Sequence, residues 1–474
     1  MGQEITRTRF DDETFREYER RLFHETELLW TELSEGRFSN IGEIGGYELE
    51  AWLVDHNFFP APINQEFLAR LDNPLIVPEL SRFNVELNGA PLPLKSRALT
   101  AFATELADNW QQCQDVAHEM DSALMMIGIL PTVRQSDLCL ANMSGLKRYR
   151  ALNEQVLSRR AGRPLRIHID GREHLDLVHP DVMLEAATTS FQLHLQSAQR
   201  DVVRYFNASL IAAAPLVAAA GNSPLLFDAD LWDETRISLF EQSVEYDEHS
   251  DQTNRRVSFG HGYVQDSVFE CFADNLSSHP VLLPILMDNP PEKFAHIRLH
   301  NGTIWRWVRP LIGFDPDGTP HLRIEQRVLP AGPTIADMMA NAALYFGLAR
   351  FLASLSEAPE LNLSFEKARN NFYAAARHGL DATLIWLDGS AIDARTLLLG
   401  EILPMARHGL KTMEIDIGDI EKYLDIMESR IKSRQTGSAW QRAYREKHQA
   451  DSLRLTAAYL ERQRSGAPVH EWEV

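Results

Sequence analysis

The chain has 474 residues, of which 44% are hydrophobic and 24% charged, a folded globular composition that excludes disorder. Lysine and arginine total 47 against 67 aspartates and glutamates, a formal charge of −20. Such a surface repels nucleic-acid backbones and anionic lipid heads, which leaves small molecules as the expected partners.

In chain order, Asp12–Leu33 has helical spacing, with Phe15, Tyr18, Leu22 and Leu29 on one face. Tyr47–Val54 alternates as a strand, with Glu48, Glu50 and Trp52 on one side and Tyr47, Leu49, Ala51 and Leu53 on the other. Phe83–Leu87 repeats the pattern with Asn84 and Glu86 on the polar side, and Pro91 and Pro93 close it. Ala98–Met125 reads as one long amphipathic helix and Gly145–Leu157 as another, opening on Lys147, Arg148, Tyr149 and Arg150. Thr189–Gln196 alternates again, placing Ser190, Gln192, His194 and Gln196 opposite Phe191, Leu193 and Leu195. Ala198–Ala220 is an alanine-rich helix that Gly221 and Asn222 are expected to cap.

Asp228–Gly262 lacks a clear period and reads as loop plus a short helix. Thr303–Arg309 and Leu322–Leu329 are strands joined by a turn at Asp315–Thr319. From Thr334, where Thr334 and Asp337 form an N-cap signature, the chain is nearly all helical, with candidates at Ala336–Ser356, Phe365–Arg377, Asp393–His408 and Asp419–Gln463. The predicted class is α+β: one unit over residues 1–474, with residues 334–474 as its mainly helical part. The cysteines Cys113, Cys139 and Cys271 are too dispersed for a disulfide framework or a zinc cluster and read as thiols in the cytoplasm. Met1–Glu13 has no apolar signal core, and the longest apolar run, Leu210 to Ala220, falls short of the roughly 20 residues a membrane span needs, so no membrane is expected.

The strands carry charge where a sheet normally carries neutral groups. Glu48 and Glu50 face the same side about 7 Å apart. Glu86 follows Glu79 by one short segment, and Arg323, Glu325 and Arg327 share a strand face. Converging carboxylates disfavour joint ionisation, and a divalent cation relieves the conflict. Oxygen ligands with one imidazole, His194, suit Mg2+ or Mn2+ rather than Zn2+. Each feature taken alone also fits a solvated sheet face or a cross-strand ion network.

As a set these segments resemble the glutamate–cysteine ligases and related carboxylate–amine ligases of glutamine-synthetase-like fold. Gly46-Tyr47-Glu48-Leu49-Glu50 resembles that family's first metal-holding strand, and Glu79 and Glu86 its following acidic pair. Thr189–Gln196 resembles the strand that normally offers His-x-His or His-x-Asn, with Gln192 standing where relatives often place the first histidine. Gly221-Asn222-Ser223-Pro224 with Arg236, the Thr303–Pro310 segment and Arg323-Ile324-Glu325-Gln326-Arg327 resemble its remaining substrate and metal segments. The resemblance spans roughly Gly46 to Thr334.

It implies a curved antiparallel sheet flanked by helices. It also implies an ATP- and Mg2+-dependent ligase that activates an amino-acid carboxylate as an acyl phosphate and joins it to an amine. Metal would fall to Glu48, Glu50, Glu86, Glu325 and His194, and catalysis to Arg327 and Glu79. Substrate or nucleotide binding would fall to Arg236, Trp305, Arg309, Gln192 and Asn222. Asn222 reads equally as a helix cap, Arg236 as a surface charge and Arg309 as a packing stem. Of Trp305 and Trp307, at least one is expected in the core. A metal-dependent amide hydrolase and a noncatalytic binding protein of the same fold remain alternatives. No Gly-rich phosphate loop or zincin helix is present.

Overall fold

The computed structural model describes residues 5, 7–246 and 255–474. At its centre is a curved antiparallel sheet. In spatial order its strands are Val308–Phe314, Pro320–Gln326, Phe191–Ser197, Ile44–Asp55, Asn84–Asn88 and Ile76–Pro78. Two short strands, Leu92–Pro93 and Ser122–Met125, also pair with the two ends of Ile44–Asp55.

Period-2 alternation sorts the side chains. Tyr47, Leu49, Leu53, Phe191, Leu193, Leu195, Leu322 and Ile324 are buried on the helical side. Each large apolar side chain so placed stabilises the fold by about 1.5–3 kcal/mol. The same register puts Glu48 opposite Gln192, Glu50 opposite Glu86, and Glu325 opposite both His194 and Arg309 on the other face.

Two apolar helices, Val202–Ala220 and Ile335–Ser354, cover the helical side. Ile335–Ser354 comes so close to the sheet that a Cβ on Gly45 would meet its Phe346 at 3.2 Å, and the Leu94 side chain from the neighbouring loop would lie at 2.6 Å. Thr334 caps that helix as expected, its hydroxyl accepting from Asp337 N at 3.2 Å. Asp337 in turn accepts from Arg430 and from the backbone of Val469, which ties the C-terminal helices to the same core. Val202–Ala220 is long and apolar enough to cross a bilayer, longer than the run seen in the sequence, but protein surrounds it.

Several expectations are corrected. The helix placed at Ala98–Met125 ends at Glu119. Asp121 adopts φ 51°, and Ser122–Met125 joins the sheet as a strand with Trp52 opposite Met125. Gly221 has φ −45° and is no left-handed cap; it admits Asp233, whose carbonyl oxygen would lie 3.1 Å from a Cβ there. The Thr303–Arg309 strand is broken at Trp307. Trp305–Arg306 pairs in parallel with Val257–Ser258, and Val308–Phe314 begins the main sheet.

Asp419–Gln463 is three helices, Ile417–Ser433, Gly437–His448 and Ser452–Arg464, separated where Arg434 and Gln449 turn left-handed and where Thr436 and Asp451 cap the next start. A small hairpin, Thr383–Ile385 with Ala391–Asp393, interrupts the helical region. In the Asp228–Gly262 stretch the short helix is Thr235–Ser243, and residues 247–254 lie outside the described residues.

Candidate active site

The polar face of the sheet forms one wall of a cavity of about 390 Å³, a size suited to small-molecule ligands. Glu48, Glu50, Glu79, Glu86 and Glu325 all line it, with Gln192, Trp305, Arg309 and Arg327. Two ligand groups stand out. Glu48, His194 and Glu325 bring donor atoms within 4.8 Å of one another, and Glu50, Glu79 and Glu86 do the same.

The first group is held by arginine. Arg309 Nε and Nη2 grip the two oxygens of Glu325, and Arg327 Nη1 donates to Glu325 Oε2 at 3.1 Å. Burial acts to raise the Glu325 carboxyl, but Arg309 and Arg327 overrule it and hold it well below the usual range. Burial also acts on Glu48, where the His194 imidazole prevails and lowers it to about 2. His194 Nε2 lies 3.2 Å from Glu48 Oε1, out of line for a hydrogen bond. Neither ring nitrogen of this buried histidine has a hydrogen-bond partner among the described residues.

The second group holds excess negative charge. Burial, then the Glu48 and Glu79 charges, push Glu86 well above its ordinary value. Burial, then Glu50 and Glu185, raise Glu79 to about 7. A hydrogen bond links the Glu79 and Glu86 side chains, so in the ion-free state one of them carries a proton. Glu50 is raised to about 7 by burial, against the pull of Arg327; its oxygens accept from Ser190 N at 2.7 Å and Gln192 Nε2 at 2.9 Å.

Both groups fit a hard divalent cation. Both offer carboxylate oxygens; the first adds an imidazole whose ring nitrogens make no hydrogen bond among the described residues, and the second a charge conflict that a cation would remove. Glu48, His194 and Glu325 would hold one ion, and Glu50, Glu79 and Glu86 another.

Gln192 belongs to neither group. Its amide donates to Glu50 while its oxygen accepts from Arg327, so it fixes the two relative to each other. Arg309 lines the cavity, but its donors are committed to Glu325 and to the carbonyls of Asn301 and Ile304. That makes it a holder of Glu325 rather than the substrate contact expected of it. Trp305 lines the cavity, whereas Trp307 is fully buried and donates to Glu241.

Asn222 and Arg236 do not line the cavity, contrary to expectation. Asn222 is buried against Ala331 O and Tyr459 OH, both 2.8 Å from its Nδ2. Arg236 pairs with Glu234 and donates to Val328 O at 2.6 Å, bracing the backbone beside Arg327 from behind. Both are buried polar groups that satisfy the backbone of neighbouring segments.

The cavity also takes residues that the sequence reading did not assign. Glu185, on the Val182–Ala187 turn, is raised to about 8 by burial and then by Glu50. Arg148 and Tyr149 reach in from the first turn of Lys147–Arg159; the polar opening of that helix was their signal in the sequence. Lys293, Arg298 and Arg323 line a basic part of the same cavity, and Arg323 Nε is buried with no hydrogen-bond partner among the described residues. Of the three basic residues Lys293, Arg298 and Arg323, only Arg323 had a readable signal, through its shared face with Glu325.

The profile of glutamate-cysteine ligase family 2 matches residues 44–459. Among solved structures, glutamate–cysteine ligase from Francisella tularensis, in complex with AMP, is similar at TM-score 0.59 and 15% identity over 90% of each chain. A bifunctional glutathione synthetase from Pasteurella multocida is similar at TM-score 0.49 and 11% identity, over 93% of this chain and 55% of that one. No curated protein matches the chain. The fold is the curved antiparallel sheet of glutamine-synthetase-like ligases. The chain belongs to glutamate-cysteine ligase family 2, a carboxylate–amine ligase of the ATP-dependent carbon–nitrogen class.

Proposed function

We propose that the cavity binds ATP with Mg2+ and joins the carboxylate of an amino acid, glutamate by family likeness, to the amino group of a second amino acid such as cysteine. The observation that carries this reading is the meeting of two buried acidic groups with Arg327 and the basic Lys293, Arg298 and Arg323 in one cavity. Mn2+ is the expected substitute for Mg2+.

A carboxylate is a poor electrophile because amine attack would have to expel oxide. Phosphorylation by ATP solves this: a substrate carboxylate oxygen bonds to the γ-phosphorus, ADP leaves, and an acyl phosphate remains. The amine nitrogen then bonds to the acyl carbon, inorganic phosphate departs with the C–O electrons, and the amine proton passes to phosphate or solvent. Glu48, His194 and Glu325, and Glu50, Glu79 and Glu86, would hold the divalent cations, which would supply neutralisation of the phosphate charge. The protein's part is to position and to balance charge. Arg327 presents its guanidinium to phosphate or carboxylate oxygens while Gln192 and Glu325 fix its direction. No dedicated general base is assigned; Glu79, beside Glu86 in the cavity, would orient the metal or ease loss of the amine proton. Trp305 offers an apolar wall to the amine substrate. We place this activity in the cytoplasm, where the free cysteines Cys113, Cys139 and Cys271 remain thiols.

The test is phosphate release from ATP with Mg2+ across pairs of amino acids. Release that requires both an acid and an amine supports the ligase. Amide hydrolysis without ATP, or ligand binding with no turnover for any pair, overturns it.

A further inference from the structure

Away from the cavity, the hairpin of strands Leu165–Asp170 and His174–His179 carries a second set of metal-ligating side chains. Its sequence repeats one pattern, His168-Ile169-Asp170 on the first strand and His174-Leu175-Asp176 on the second. Antiparallel pairing sets His168 opposite Asp176 and Asp170 opposite His174. Ile167 and Ile169 turn into the core, so period-2 alternation puts all four polar residues on the solvent face.

There they form a closed square. His168 Nδ1 lies 2.8 Å from Asp176 Oδ1 and His168 Nε2 lies 3.1 Å from Asp170 Oδ2. His174 Nδ1 lies 2.6 Å from Asp170 Oδ1, and its Nε2 approaches Asp176 Oδ2. Each carboxylate thus spans both rings. One donor atom from each of His168, Asp170 and His174 falls within 4.8 Å of the others.

We propose that His168, Asp170, His174 and Asp176 form a surface site for one first-row transition-metal cation of the Zn2+ class. Two imidazole nitrogens and two carboxylate oxygens are the donor set that such a cation accepts in tetrahedral geometry, whereas Mg2+ prefers oxygen and water. Two aspartates balance the double positive charge. The cation takes the place of the protons that the rings hold between the carboxylates, and those protons are released to solvent. The neighbouring cation Arg172 points away toward Asp230.

The hairpin lies against the Thr235–Ser243 helix through paired bonds between His168 and Gln242, and against Trp232 through Asp170 O. Its second strand leads into the Val182–Ala187 turn that carries Glu185 to the cavity. A cation here clips the hairpin in place without entering the catalytic cavity.

The test is equilibrium dialysis of the full chain against Zn2+ with Mg2+ in large excess to fill the oxygen-rich cavity. The wild type is expected to retain one more Zn2+ per chain than His168→Ala/His174→Ala, or to bind that ion at least about tenfold more tightly. Asp170→Asn/Asp176→Asn should lose the same ion while keeping both rings. Co2+ in the wild type should give a tetrahedral visible spectrum that both variants lack. Ligase activity with Mg2+ should be unchanged in both. Equal Zn2+ stoichiometry and affinity in wild type and variants overturns the site, as does the absence of retained Zn2+ in the wild type.

Discussion

Glu50 and Glu86 are direct cross-strand partners, and both carboxylates face the same buried cavity. Like charges in that position destabilise a sheet, and burial worsens the conflict. On the reading proposed above, a cation between them would turn the conflict into a binding site.

Replacing Glu86 with Gln should therefore leave the metal-free fold about as stable as the wild type, because burial and the Glu48 and Glu79 charges already favour the neutral carboxyl there and the amide is neutral too. Mg2+ at about 100 times its dissociation constant should stabilise the wild type by roughly 2.7 kcal/mol, and the variant by much less. Thermal unfolding with and without Mg2+ measures both. A metal-free Glu86→Gln protein that unfolds well below the wild type would show that Glu86 is structural.

Arg309 and Arg327 both hold Glu325, yet substitution should separate them. Arg309→Ala strips a buried carboxylate of its main partner and abandons two carbonyls, so urea unfolding should show a loss of about 3–5 kcal/mol. Arg327→Lys keeps the charge but loses the planar guanidinium whose Nη1 meets both Gln192 and Glu325. Its stability should stay within about 1 kcal/mol of wild type while turnover falls on the order of a hundredfold. Similar losses of stability in the two variants would count against the division of roles.

Asn222→Ala should cost about 1–3 kcal/mol, since it leaves Ala331 O and Tyr459 OH without their buried donor. The KM for each substrate should not move. A selective rise in one KM would return Asn222 to the substrate site.

Acid should weaken the fold through His300. Burial lowers this histidine to about 4, with Nε2 held 3.0 Å from Asn275 O. An unfolded histidine titrates near 6.5, so the unfolded chain binds the proton first as pH falls. The stability that a neutral His300 confers is complete above about pH 6.5 and lost as pH drops toward 4, on the order of 3 kcal/mol there. His300→Gln should flatten that acid limb in urea unfolding followed from pH 7 to pH 4. An unchanged slope would assign the acid sensitivity to other groups.

The sequence disclosed most of the cavity wall because strands write their faces in period 2. Glu48, Glu50, Glu86, Gln192, His194, Glu325 and Arg327 each sit at an alternate position beside apolar neighbours, so one face could be read without coordinates. Glu185 lies on a short 3-10 turn with no period of its own, and only the folded chain brings it to Glu50. Ser122–Met125 was hidden because its apolar run continues that of the helix before it; the left-handed Asp121 that divides them looks ordinary in sequence. Asn222 and Arg236 were misplaced for a different reason. A polar residue that satisfies buried backbone and one that meets a ligand have the same composition, and only their partners tell them apart.

The most direct measurement is Mn2+ binding to the full chain with a non-hydrolysable ATP analogue present. Two ions should bind, with Glu325→Gln losing one and Glu86→Gln the other while both variants keep the wild-type circular dichroism. Unaltered Mn2+ stoichiometry in both variants would mean that the cavity's acids do not gather metal and that this account of the site is wrong.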